Sequence, residues 1–362
     1  MKAAVLEEYG QPLNVTDVDL AAPQAHEVKV AIKATGVCHS DLSIQQGKLP
    51  LPTPCVLGHE AAGEVTEVGD GVTSVKPGDH VVVMWTPMCG HCYMCRRGQT
   101  YLCEGVRALG MMDDGTSRLS KDGKLILHGI NSATFAEEGI YRDYAVVQIP
   151  DDVPYEVAAV VGCGVLTGVG AAIYTAGVRP GESVVVLGCG GVGINVIQGA
   201  RLVGANPIIA VDTFAEKLDM AKRFGATHLI DASTGNAGAE VLELTQGRGA
   251  DAAFEVVGVP ALQRQVFDMT RRGGRSVLVG VSALTDEVSL PSMFLTLGEK
   301  TVMGCYYGSC DPKRDIPAFL ELWKAGRLDL EGLITKTGSL DDVNRAFEDM
   351  EAGQVIRTVL TP

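Results

Sequence analysis

Cys89, Cys92, Cys95 and Cys103 fall in one short stretch with the spacing C-x2-C-x2-C-x7-C. That spacing lets a single loop wrap four thiolates around a tetrahedral ion with no open position, as a structural zinc requires. Two disulfides or four reactive surface thiols are the competing readings, and repeated C-x-x-C in a chain with no secretory signature favours metal. Upstream lie Cys38-His39-Ser40-Asp41 and Gly58-His59-Glu60. Such a mixed set, completed by a distant Cys, leaves one coordination position for a substrate. Two zinc ions per chain are expected.

At 362 residues the chain is long enough for two domains, each with a hydrophobic core. A formal net charge of -14 disfavours nucleic acid and anionic membrane as partners, because both reward clustered Lys and Arg. Small-molecule chemistry is the expectation. Residues Met1 to Gly10 include Glu7 and Glu8 and no long apolar run, so neither a signal peptide nor a membrane span is expected there. The cytoplasm, with its ten cysteines reduced, is the expected location.

The texture changes along the chain. From Val28 to about Val83, short alternating strands are broken by Gly69-Asp70-Gly71 and Lys76-Pro77-Gly78-Asp79, which reads as an all-β unit, a compact barrel. From about Gly181 the pattern becomes strand, glycine turn, helix. Its strands are expected at Ser183 to Leu187, Pro207 to Val211, Thr227 to Ile230, Phe254 to Val257 and Arg275 to Val279. Such alternation predicts a parallel sheet covered by helices on both faces. Ser339 to Asp342 reads as a capping box opening a helix that Gly353 closes.

The first of these strands runs into Gly188-Cys189-Gly190-Gly191-Val192-Gly193, with a helix-length run after it and Asp212 at the end of the next strand. Alone the glycine pattern is weak; in this context it reads as a dinucleotide site. Its glycines admit a pyrophosphate to the helix N-terminus, and the Asp212 carboxylate accepts the adenosine ribose hydroxyls, which selects NAD over NADP. A plain strand-to-helix turn with a solvated Asp is the alternative.

With these motifs in hand, the sequence resembles the zinc-dependent medium-chain alcohol dehydrogenases over essentially its whole length. The likeness is carried by Gly36-Val37-Cys38-His39-Ser40-Asp41, Gly58-His59-Glu60, the cysteine quartet, Gly162-Cys163-Gly164, the glycine motif and Ile356-Arg357-Thr358. Asp114 to Arg118 and Ser132 to Phe135 resemble the long-loop branch near class III. The resemblance implies an α/β fold: a GroES-like β-barrel catalytic domain from residues 1–164 and 305–362, and a Rossmann doubly wound parallel-sheet domain over 165–304.

Position by position, the resemblance implies that Cys38, His59 and Cys163 hold the catalytic zinc and Cys89, Cys92, Cys95 and Cys103 the structural one. Glu60 matches a carboxylate close to the metal, and Asp41 the group that orients the zinc-bound imidazole. Ser40 matches the hydroxyl that takes the alcohol proton. Beyond it the relay departs from liver-type enzymes, with Ser43 where they carry His; proton exit then falls to His39, water or another path. His39 and Arg357 match pyrophosphate contacts, Lys217 a residue near the adenosine ribose, and Thr167 and Val203 the nicotinamide ring. Trp85, Gly129, Ile130, Val281 and Tyr306 match an apolar substrate pocket, although each would serve equally as core.

Arg107 falls where class III enzymes hold the carboxylate of a thiol adduct. The acidic pocket residue of those enzymes has no counterpart, since Gly47-Lys48-Leu49-Pro50 stands there, and Glu137 to Asp143 is an insertion. The expected activity is therefore reversible hydride transfer between NAD and a primary, or secondary, alcohol. Oxidation of a glutathione or mycothiol adduct of formaldehyde is the second hypothesis, and a zinc-stabilised NAD-binding protein without turnover the third. The strand Thr301 to Cys305, apolar and without Pro, is expected to pair across a two-fold axis in a homodimer, with a homotetramer the alternative.

Overall fold

The long strand Glu27–Val37 buries Val28, Val30, Ile32 and Ala34 at alternate positions, the period of a strand with one face in a core. The computed structural model to which it belongs describes residues 1–105 and 110–362. These divide into two units, residues 1–163 with 311–362, and residues 164–310.

In the first unit Glu27–Val37 pairs antiparallel with Glu60–Val68, with Glu138–Arg142 and with the C-terminal strand Arg357–Thr361. The C-terminal strand thus joins a seven-stranded sheet, while the N-terminal strand Lys2–Leu6 pairs with Asn14–Asp17 and Cys55–Val56 in a six-stranded one. Valines 28, 30, 65, 81 and 83 pack with Tyr141 in one core. A second core gathers Leu6, Val37, Leu57, Phe135, Phe347 and Leu360.

The stretch read as all-β also contains a seven-residue helix, His39–Gln45. It spans less than two turns and is largely polar, too short for a 3.6-residue period to register. The capping box at Ser339 and Asp342 forms as expected; the helix Val343–Glu351 follows, and Gly353 turns the chain at φ 72°.

The second unit is built on a parallel sheet in the order His228–Asp231, Ile208–Asp212, Val184–Leu187, Ala250–Glu255, Thr270–Leu278, Thr301–Gly304. Val184, Val185 and Val186 are fully buried, because in such a sheet helices cover both faces. The sheet confirms the Rossmann doubly wound expectation. The fourth strand differs in place: it ends at Glu255, where Phe254 to Val257 was expected, and Val256 to Val259 form a turn.

Among the described residues one helical run, Tyr155–Thr175, is long and apolar enough to cross a membrane by length and composition, and 83% of its most apolar 18-residue stretch is buried within the protein. Burial of that extent accounts for its apolar composition as core.

Candidate metal centres and dinucleotide site

Cys38 ends the long strand in extended backbone (φ -116°, ψ 152°) and starts the helix His39–Gln45, so Ser40 and Asp41 lie on its first turn. His59 and Glu60 stand at the start of the neighbouring strand, opposite Gly36 in the ladder. Cys163 lies in a widened π turn, Val161–Val165, of the kind often found at functional positions. Ligand atoms of Cys38, His59, Glu60 and Cys163, all buried, fall within 4.8 Å of one another. The sequence scatters these residues; the first unit brings them together.

Each member is held by a neighbour. His59 Nδ1 lies 3.2 Å from Asp41 Oδ1, which also accepts the Gly58 N–H at 2.9 Å. A carboxylate on one ring nitrogen fixes the tautomer and leaves Nε2 for a metal. Arg357, buried, donates to Val37 O at 2.9 Å and lies 3.2 Å from Glu60 Oε1. A Cβ on Gly36 would sit 2.3 Å from Glu60 Oε2, so only glycine leaves the carboxylate its place. Trp85 meets the His59 ring edge-on at 6.0 Å. Ser40 Oγ lies 3.9 Å from Cys38 Sγ, while His39 is exposed.

The electrostatics suit a cation. Burial pushes the Glu60 carboxyl up to about 7 against the pull of Arg357. A hydrogen bond from Cys163 and the charges of His59 and Arg357 hold the Cys38 thiol well below its ordinary value, while Cys163, the donor, is raised. Both thiols must give up their protons when a divalent ion binds, so occupation of such a site depends on pH. Two thiols and an imidazole suit zinc, and three protein ligands leave a tetrahedral ion one open position.

The quartet forms a second cluster, its sulfurs also within 4.8 Å of one another and all four thiols unbridged. Cys92 and Cys103 sulfurs are 4.0 Å apart, near the edge of about 3.8 Å that a tetrahedron with zinc–sulfur bonds of about 2.3 Å requires. Backbone N–H groups of Cys92, Cys95, Glu104, Cys89 and Gly105 point at the sulfurs at 3.2 to 3.5 Å. Those of Cys95 and Glu104 bring the Cys92 thiol down to about 6. A Cβ on Gly105 would lie 2.9 Å from Cys89 Cβ, a requirement that the spacing of the cysteines did not reveal.

In the second unit the turn after Val184–Leu187 is shaped by close approach. Gly188 has φ 100°, and a Cβ on Gly193 would fall 1.9 Å from Gly188 O, whereas Gly190 faces open space. Gly191, Val192 and Gly193 open the helix Gly191–Leu202, whose free N–H groups suit a phosphate. Asp212 accepts N–H groups from Cys189 (2.7 Å), Thr213 (2.8 Å) and Phe214 (3.1 Å). It thereby ties the glycine turn to the second strand. Lys217 Nζ sits over the Phe214 ring, 4.7 Å from its centre. Gly168 brings the turn of Thr167 against Asn195 of the helix that ends beside Val203.

Of the expected pocket residues, Trp85, Gly129 and Ile130 belong to the first unit and Val281 and Tyr306 to the second. Ile130 holds a left-handed conformation (φ 48°, ψ 35°) that a β-branched residue rarely adopts. Arg107 lies outside the described residues.

Residues 24–154 match the alcohol dehydrogenase GroES-like domain and residues 191–325 the zinc-binding dehydrogenase domain. The chain is 42% identical to an S-(hydroxymethyl)glutathione dehydrogenase of Paracoccus denitrificans and 40% to an alcohol dehydrogenase class-3 of Cereibacter sphaeroides, 99% of each chain being covered in both cases. Among solved structures, benzyl alcohol dehydrogenase of Acinetobacter calcoaceticus superimposes with a TM-score of 0.94 at 32% identity, over 99% of this chain and 98% of the other. An alcohol dehydrogenase zinc-binding domain protein of Burkholderia ambifaria gives 0.94 at 34%, with the same coverage.

Proposed function

The chain belongs to the zinc-dependent medium-chain alcohol dehydrogenases, near class III, and on that premise we propose that it oxidises a primary alcohol to an aldehyde with NAD, reversibly. The observation that carries the proposal is the buried Cys38, His59 and Cys163 set, three ligands with an oriented imidazole and a hydroxyl alongside. Cys38, His59 and Cys163 would hold a zinc that would supply a Lewis acid for the substrate oxygen, and the glycine turn would hold NAD, which would supply the hydride acceptor.

The chain's own groups do the rest. Ser40 Oγ takes the alcohol proton as it releases its own toward water or His39, and Asp41 holds His59 in the tautomer that leaves Nε2 free. Glu60, neutralised in part by Arg357, places a carboxylate beside the ligand sulfurs. The quartet Cys89, Cys92, Cys95 and Cys103 holds a second, structural zinc. By resemblance to the family, Asp212 and Lys217 are assigned to the adenosine ribose, and His39 and Arg357 to the pyrophosphate. By the same resemblance, Thr167 and Val203 are assigned to the nicotinamide ring, and Trp85, Gly129, Ile130, Val281 and Tyr306 to the substrate. Ten unbridged cysteines suit a reducing compartment, the cytoplasm.

A second reading, oxidation of a thiol adduct of formaldehyde, fits the names of the curated relatives better than the first. Against it stands Gly47-Lys48-Leu49-Pro50, where no carboxylate is available to an adduct's ammonium group. NADH formation from formaldehyde, with and without glutathione or mycothiol, separates the two: the first reading expects no dependence on thiol, and strict dependence overturns it.

We also infer a homodimer. Thr301–Gly304 is the edge of its sheet, and the adjacent helix Ser292–Leu297 has no buried residue, leaving Met293, Phe294 and Leu297 at 60%, 60% and 66% exposure. A second copy paired along that edge would cover both features. Light scattering on Val302→Lys is expected to show a shift toward monomer; a wild type that is monomeric at micromolar concentration contradicts the pairing.

A further inference from the structure

The turns that follow Val184–Leu187 and Ala250–Glu255 leave the sheet side by side. Leu187 and Glu255 are register partners, and the Val256 N–H donates to Leu187 O at 3.0 Å. These strands flank the point where strand order reverses: the chain runs outward through Ile208–Asp212 to His228–Asp231, then returns to the opposite side of Val184–Leu187. In such sheets a ligand lies in the crevice outside the strand ends at that point. The glycine turn is one wall, and Val256 to Val259 the other.

Glu255 is fully buried at the root of that second wall. Its Oε1 accepts the N–H groups of Val257 at 2.8 Å, Gly258 at 2.7 Å and Val259 at 3.4 Å. Consecutive N–H groups converging on one point form the kind of cradle that binds anions elsewhere, and the positive end of the helix Pro260–Met269 strengthens it. Here the chain's own carboxylate fills it. The packing around the turn is close: a Cβ on Gly258 would lie 2.4 Å from Val281 O, and one on Gly188 2.6 Å from Val257 Cγ2. Yet Val257 and Val259 remain 50% and 41% exposed at the strand ends.

We propose that Glu255 is a positioning residue for the dinucleotide, which fixes the Val256 to Val259 turn as an apolar wall beside Gly188 and fills the competing anion cradle, leaving the glycine turn for the pyrophosphate. It acts through the backbone it binds and touches no reacting atom. The inference rests on the NAD-binding reading above.

The test is NADH binding by fluorescence titration to the zinc-loaded full chain, wild type against Glu255→Ala and Glu255→Gln, with melting temperature recorded for each. Ala empties the cradle; Gln keeps an acceptor oxygen. Glu255→Ala is expected to weaken NADH binding by about tenfold or more, a loss on the order of 1.4 kcal/mol, and Gln to restore it to within about threefold. A folded Glu255→Ala that binds NADH like wild type overturns the inference, even if it melts lower, since a merely structural role moves only the melting temperature. Should Ala fail to fold, Glu255→Asp withdraws the acceptor by one methylene; unchanged affinity there overturns the inference equally. A wild type that binds no NADH overturns the dinucleotide reading itself, and this one with it.

Discussion

His59 Nδ1 lies 3.1 Å from Asp41 Oδ2, with both side chains almost fully buried. Such a buried carboxylate serves to hold the ring, and through it the position of Nε2.

Asp41→Asn is therefore expected to weaken zinc at the Cys38, His59, Cys163 site by about 10- to 100-fold, the usual effect of losing a carboxylate behind a ligating histidine. Competition with a chromophoric chelator measures this. Unchanged affinity would show that the ring needs no such partner.

The two clusters should fail differently. Cys92→Ser is expected to release one zinc and lower the melting temperature, because a structural zinc contributes folding energy directly. Gly105→Ala, which crowds Cys89, should do the same in milder form. Cys38→Ser should abolish turnover and leave the melting temperature nearly unchanged. Metal analysis with thermal melts tests all three, and a single zinc in fully active protein contradicts the pair of sites.

Asp212→Ser frees the Cys189, Thr213 and Phe214 N–H groups that the carboxylate now occupies. Those donors would suit a 2'-phosphate, and the charge that repels it is gone. The ratio of kcat/KM for NAD to that for NADP should fall at least about tenfold, a change on the order of 1.4 kcal/mol in discrimination. Equal use of both cofactors by the wild type would contradict the role of Asp212.

His128 is buried near Arg118 and Arg142; burial first, then these two charges, bring its imidazole down to about 4. The folded protein thus keeps it neutral, while the unfolded chain protonates it below about 6.5. Its contribution is fully present above about pH 6.5 and is lost as pH falls toward 4, about 2 kcal/mol between pH 7.5 and 5. Urea unfolding at those two pH values should show His128→Gln losing about that much less than wild type. An identical loss in both would mean that the imidazole titrates normally in the fold.

What the sequence reveals of this protein is what its chemistry demands by residue type. Four thiols at fixed spacing, a histidine beside a glutamate, and a glycine turn before a helix are legible because few residue types do those tasks. Glu255 is invisible in the same way that Phe254 to Val257 is misplaced as a strand: a carboxylate at a strand end reads as solvated until the three N–H groups it gathers are seen. Gly36 and Gly105 are glycines for the sake of Glu60 and Cys89, neighbours set by tertiary packing. The helix His39–Gln45 escapes because seven residues are too few to display a period.

The most direct test of the central claim is the initial rate of NADH formation from benzyl alcohol and short primary alcohols, followed before zinc removal, after it, and after zinc is restored. A rate that vanishes with the metal and returns with it, and that Ser40→Ala lowers without loss of zinc, is predicted. NAD-dependent oxidation that continues undiminished in Cys38→Ser protein would contradict the claim.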